Sequence, residues 1–127
     1  MTGRLDVAFA AGCGLHAPEA YPELEPGLVP LSRPLHDEGQ WGDRLTMDQL
    51  LVSPVFASPR KGDPWGADRL HRFLDGVPKS GPRLLALGGV DPLNAPTLRH
   101  PRLAGIAAIR PFWEGDPARA VARFREP

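Results

Sequence analysis

The chain has 127 residues, a charge balance of 15 Lys and Arg against 15 Asp and Glu, and 42% hydrophobic residues. One domain over 1–127 is expected at this length, and a balanced charge gives no global field to attract nucleic acid or an anionic membrane. No apolar run approaches the roughly 20 residues that span a bilayer. The start MTGRLDVAFAAGCGL has no long apolar stretch of the signal-peptide kind, so a cytoplasmic protein is expected. Cys13 is the single cysteine, which excludes an internal disulfide and a thiolate metal cluster.

Taken in chain order, Leu5–Ala11 reads as a short amphipathic helix. A short strand follows at CGLH, residues 13–16, with Cys13 as a small core residue. The second strand is expected at GLVPL, residues 27–31. Residues 32–46 fit either a short helix or an irregular loop. A third strand is expected over 49–55, a fourth over 83–87 and a fifth over 103–109. Sixteen prolines and fourteen glycines, spread through the chain, punctuate these runs. Three Asp-Pro pairs, at Asp63, Asp91 and Asp116, place a capping carboxylate before a proline suited to a first helical turn. Behind Pro64, the spacing of Ala67, Leu70, Leu74 and Val77 predicts a helix that stops near Gly76. Behind Pro117, Ala118, Val121 and Ala122 form a second apolar stripe.

Apolar strands alternating with helices imply an α/β fold, with a parallel sheet covered on both faces. Five strand units are short of the eight that close a barrel. A stand-alone sheet in doubly wound order and a fragment of a barrel both remain open.

The motifs narrow this. Ala86-Leu87-Gly88-Gly89-Val90, Pro92 and Asn94-Ala95 precede Gly105-Ile106-Ala107-Ala108-Ile109. Upstream stand Leu51-Val52-Ser53-Pro54-Val55-Phe56, Gly14-Leu15-His16 and Arg4-Leu5-Asp6-Val7-Ala8. In order and spacing this series resembles the thiamine phosphate synthase and thiazole tautomerase family, with the densest match from Leu51 to Trp113. The resemblance implies a partial (βα) barrel of the TIM type, made of strands four to eight with flanking helices, and a role in thiamine biosynthesis. Missing early strands leave an open edge, from which a homo-oligomer is expected.

The resemblance also implies sites. A thiazole phosphate or related small phosphate would lie between Gly88, Gly89, Ile109 and Arg110, where glycine lets the backbone approach an oxyanion. Without a ligand, the same Gly-Gly is a turn that needs glycine. The loop Ser58-Pro59-Arg60-Lys61 would supply Ser58, Arg60 and Lys61 to a pyrophosphate; its alternative is a solvated basic loop. The carboxylates that hold Mg²⁺ in synthases correspond here to Gly3 and Tyr21, with Glu19 nearby, so no metal ligand is assigned. Mg²⁺ would be needed only if synthase activity is retained. His36, beside Asp37 and Glu38, is either the proton relay of a tautomerase or a surface histidine. His16 reads as a packed strand end, His71 and His100 as solvated, and Trp113 as core. The classes left open are a tautomerase-like isomerase, a synthase that needs a partner or further segment, and a non-catalytic phosphate-binding or regulatory module.

Overall fold

The computed structural model describes residues 4–59 and 62–126. Helix α1 (Leu5–Ala11) buries Ala8 and ends at Gly12, as its amphipathic pattern predicts. Five strands follow: β1 (Leu15–His16), β2 (Leu31–Leu35), β3 (Gln49–Val52), β4 (Arg83–Leu87) and β5 (Leu103–Ala107). They form one parallel sheet in sequential order, β1-β2-β3-β4-β5. Helix α2 (Gly66–Gly76) joins β3 to β4, while α3 (Arg110–Trp113) and α4 (Pro117–Arg125) follow β5.

The second strand lies at Leu31–Leu35, later than the 27–31 expected from its apolar run. Pro34 inside the strand hid it. Ser32 offers its carbonyl to the Ala17 N–H on the β1 side, and Pro34, two residues on, faces that same side. The strand β1 has already ended there, so the missing proline N–H removes no ladder bond. Past Leu35 the ambiguous segment becomes two 3₁₀ turns, Glu38–Gln40 and Gly42–Arg44.

Only one sheet face is fully covered, which corrects the expectation of two. Leu35, Val52, Ala86 and Ile106 share one register row, and Leu50 and Leu84 share another on the same face. Leu35, Leu50, Val52 and Ala86 are completely buried and join Ala8, Leu70, Leu74 and Leu98 in one core. Burying each leucine there stabilises the fold by about 2–3 kcal/mol. On the opposite face Leu51, Leu85 and Leu87 are half-buried and Arg83 is exposed. An apolar run such as RLLAL thus alternates between a dry face and an open one.

One helix start differs from expectation and another agrees. Trp65, without a side-chain cap, precedes α2, so Asp63 does not cap it. Asp116 does cap α4, accepting from the N–H groups of Ala118 and Arg119. The buried side of α4 is Ala120, with Phe124 stacked on Phe112 at 5.6 Å, and Ala118, Val121 and Ala122 face out. The helix packs on α3 through residues four apart, which sets that stripe. His71 and His100 are half-buried rather than solvated, with rings 5.6 Å apart, and His100 Nε2 lies 2.8 Å from Asp75 Oδ1. Trp113, expected in the core, is 87% exposed.

Candidate functional site

Because all five strands run the same way, the segments after each carboxyl end gather along one edge of the sheet. Ligands of open α/β sheets bind outside that edge. His36 follows β2, Ser58 belongs to the segment after β3, Gly88 and Gly89 follow β4, and Ile109 and Arg110 follow β5. The sites expected from sequence therefore share one edge. Arg60 and Lys61 lie outside the described residues.

The edge contains a polar cluster built from three successive strand ends. His36 Nδ1 lies 2.8 Å from the Ser53 carbonyl, which can only accept, so Nδ1 carries the hydrogen. Nε2 is left to give or take a proton, and it faces Glu19 Oε2 at 3.7 Å. The backbone N–H of His36 donates to Gln40 Oε1 at 2.8 Å, which ties the histidine to the first 3₁₀ turn. Glu19 is held in turn: its Oε1 accepts from Arg44 Nη2 at 2.7 Å and from Gln40 Nε2 at 3.1 Å. Arg44 is 7% exposed and also donates to the Pro34 carbonyl. A buried guanidinium tolerates that position because both the carbonyl and the carboxylate satisfy it. The result is one imidazole of fixed tautomer, 41% exposed at its side chain, beside an oriented carboxylate. Such an arrangement can shuttle a proton and stabilise the imidazolium that forms.

Arg44 and Gln40 carry no sequence signal; they reach the site only through the turns after β2. Ser53 was visible as part of a motif, but its carbonyl, the group that fixes His36, was not.

The glycine pair is shaped by its neighbour strand. Gly88 and Gly89 have φ of 103° and 63°. A Cβ on Gly88 would sit 2.7 Å from Pro54 Cα, and one on Gly89 would sit 2.8 Å from the Ala57 carbonyl oxygen. The segment after β3 continues the ladder here, with Val55 and Phe56 donating to the Leu87 and Gly88 carbonyls. Asn94 fixes the far side: its Nδ2 donates to the Gly89 carbonyl at 2.8 Å and its Oδ1 accepts from the Asp91 N–H at 2.9 Å. The Gly-Gly and Asn of the motif thus have a backbone reason. Ile109 is 70% exposed, and Arg110 Nε lies 3.6 Å from Glu114 in an open pair. Such a pair is weak and leaves the arginine accessible to an anion.

No family model matches the chain. The chain is 31% identical to thiamine-phosphate synthase of Archaeoglobus fulgidus over 130 aligned positions, gaps included, covering 94% of this chain and 60% of that protein. The chain is similar to thiamine-phosphate synthase over nearly its whole length. Its fold agrees: thiamine phosphate pyrophosphorylase from Pyrococcus furiosus superposes with a TM-score of 0.82 at 19% identity, covering 98% of this chain and 63% of that one. The chain therefore spans about three fifths of the length of these thiamine-phosphate synthase relatives.

The resemblance to synthases raises the question of Mg²⁺, and the donor set answers it. Glu19 is committed to the Arg44 guanidinium, whose charge opposes a dication. Tyr21 packs against the core, and its carbonyl accepts from Arg33 at 2.7 Å. Gly3 lies outside the described residues. Further along the edge, Glu38 pairs with Arg69, and Asp37 accepts from the Gly39 N–H. Among the described residues no group of three or more His, Cys, Asp or Glu is placed to hold a metal ion. The carboxylates that are described here do not fit a magnesium site.

Proposed function

We propose that this chain is a thiazole tautomerase-like isomerase of thiamine biosynthesis that binds a thiazole phosphate at the carboxyl edge of its sheet. The observation that carries the reading is His36, with Nδ1 anchored on the Ser53 carbonyl and Nε2 free beside Glu19. In this role Nε2 takes a proton from one position of the ring system and returns it to another, so no atom is gained or lost. Glu19 stabilises the transient imidazolium. Gly88, Gly89, Ile109 and Arg110, at the ends of adjacent strands, hold the phosphate, and the positive charge of Arg110 favours it. The sheet is read as an arc of a barrel, strands four to eight. Its sequential order supports this, since a doubly wound sheet reverses its strand order at a switch point.

A second reading, a synthase completed by a further segment, draws support from the three-fifths coverage of the relatives. In it Ser58, Arg60 and Lys61 would contact pyrophosphate, and the magnesium ligands would come from elsewhere.

Calorimetric titration with the thiazole phosphate in magnesium-free buffer tests the site. Saturable one-site binding is expected, weakened about tenfold by Arg110→Ala, in line with loss of a charged hydrogen bond. Isomerisation, followed by proton exchange into the ring in deuterated water, should fall at least 100-fold in His36→Ala while binding persists. Unchanged exchange in that variant would remove His36 from the mechanism, and absence of binding would reduce the glycine pair to a turn.

A further inference from the structure

The proposed chemistry leaves one cavity of the molecule unused, and the connections between strands explain why it exists. The crossover from β3 to β4 carries the 11-residue helix α2, but the crossover from β4 to β5 carries only one 3₁₀ turn, Ala95–Leu98. Such a turn is about 8 Å long, against about 16 Å for a five-residue strand, so it covers only part of β5. Ile106 accordingly stays half-buried, although its register neighbours Ala86 and Val52 are completely buried. The space left beside it is a groove of about 530 Å³ between that turn, β5 and α4, with an apolar wall of Leu98, Leu103, Ile106 and Phe124. Pockets of roughly 300–1,000 Å³ with apolar walls and a few polar groups are the size and kind that small organic molecules occupy.

The charged groups of the groove gather at the last turn of α4. Arg99 Nη2 donates to the Glu126 carbonyl at 3.1 Å, and the Glu126 N–H donates to the Arg123 carbonyl at 3.4 Å. Arg99, Arg123 and Glu126 all line the groove, and all three are exposed. Neither guanidinium has a carboxylate partner among the described residues. Two guanidiniums against one carboxylate leave one positive charge at this end. His100 also lines the groove, but its ring is already engaged: Nδ1 accepts from the Arg102 N–H at 3.0 Å, and Nε2 lies 2.8 Å from Asp75 Oδ1. We propose that the groove binds a small organic carboxylate. The apolar body of the ligand lies along Leu98, Leu103, Ile106 and Phe124, and its carboxylate meets Arg99 and Arg123. The planar fork of arginine matches the two oxygens of a carboxylate, and a single surplus charge suits a monoanion better than a doubly charged phosphate. His36, Glu19, Gly88, Gly89 and Arg110 do not line this groove, so the site is separate from the carboxyl edge and does not rest on its reading.

The test titrates the full chain with straight-chain carboxylates, butanoate to octanoate, by calorimetry, and maps the site by amide chemical shifts in NMR. Octanoate should bind at one site, with affinity rising about two- to fourfold per added methylene until the groove is filled. Octylamine, which has the same tail and the opposite charge, should not bind. The shifts should concentrate at Leu98, Leu103, Ile106 and Phe124. Arg123→Gln should weaken octanoate at least fivefold, and Arg99→Gln combined with it at least tenfold. Arg123→Gln touches only an exposed side chain, so its melting temperature should match that of the unaltered chain, and it carries the test by itself where the double variant is less stable. Absence of octanoate binding at 10 mM (roughly the weakest affinity a filled apolar groove would give) overturns the proposal. Equal binding of octylamine, unchanged affinity in Arg123→Gln, or shifts confined to Leu51, Leu85 and Leu87 on the open face also overturn it.

Discussion

Gly88 illustrates how a single residue can be required twice over. Its φ of 103° is a conformation side chains rarely adopt, and the space a Cβ would need is filled by Pro54. Gly12 also has a positive φ, 67°, but nothing lies within 4 Å of its would-be Cβ. Substitution by alanine should therefore cost about 1 kcal/mol at Gly12, from backbone strain alone. At Gly88 strain and collision add, and a loss of about 2–4 kcal/mol is expected. Urea denaturation of the two variants separates these cases, and equal losses would contradict the close approach to Pro54. His36 is the opposite kind of residue, ordinary in backbone and defined by what its two ring nitrogens meet.

Between elements, the 3₁₀ turn after β2 is tied to α2 by one bidentate pair. Glu38 accepts from Arg69 Nε at 2.8 Å and from Nη2 at 2.5 Å, while the guanidinium lies 4.3 Å from the centre of the Trp65 ring. The hydrogen bond from Arg69 holds the Glu38 carboxyl down to about 2, against its ordinary 4.5. A depressed carboxylate contributes stability that is fully present above its ordinary value and lost as pH falls from about 4.5 towards 2. Both side chains are between a third and a half exposed, so solvent screening limits the contribution to about 0.5–1 kcal/mol. Glu38→Gln should lower stability by that amount at pH 7, with the difference shrinking below about pH 4.5 and vanishing only below about 2, read by denaturant midpoints across the range. A difference that stayed constant with pH would show that the pair acts through packing instead.

For the molecule as a whole, the decisive property is that one sheet face is sealed and the other is open. Leu84 and Leu85 are neighbours in sequence and identical in chemistry, yet Leu84 is 2% exposed and Leu85 is half-buried on the other face. Leu84→Ala should cost about 3–4 kcal/mol, within the range for a filled core site, and Leu85→Ala about 1 kcal/mol or less. Thermal and chemical denaturation of the two variants measures the asymmetry.

Local chemistry made much of this protein legible. Leu70 and Leu74 at helical spacing, the Asp116 cap and the apolar runs of β3 and β4 are decided by neighbours in the chain, so the α/β pattern and the family resemblance could be read directly. The motif Gly88-Gly89 through Asn94 was equally visible, and Asn94 closes its turn locally, but the need for glycine at Gly88 comes from Pro54 on another segment. What the sequence could not show depended on residues brought together from afar. Pro34 is acceptable in β2 only because β1 ends before reaching it, a fact about a different strand. Trp113 is apolar enough for a core, but among the described residues no element covers it and it is left exposed. Glu19 and Ser53 meet His36 from separate strand ends, Arg44 holds Glu19 in place, and none has a spacing rule relative to the histidine. Hydrophobic periodicity reports which residues can be buried; the order of strands and the number of layers decide which ones are, and which side chains share the edge where chemistry can occur.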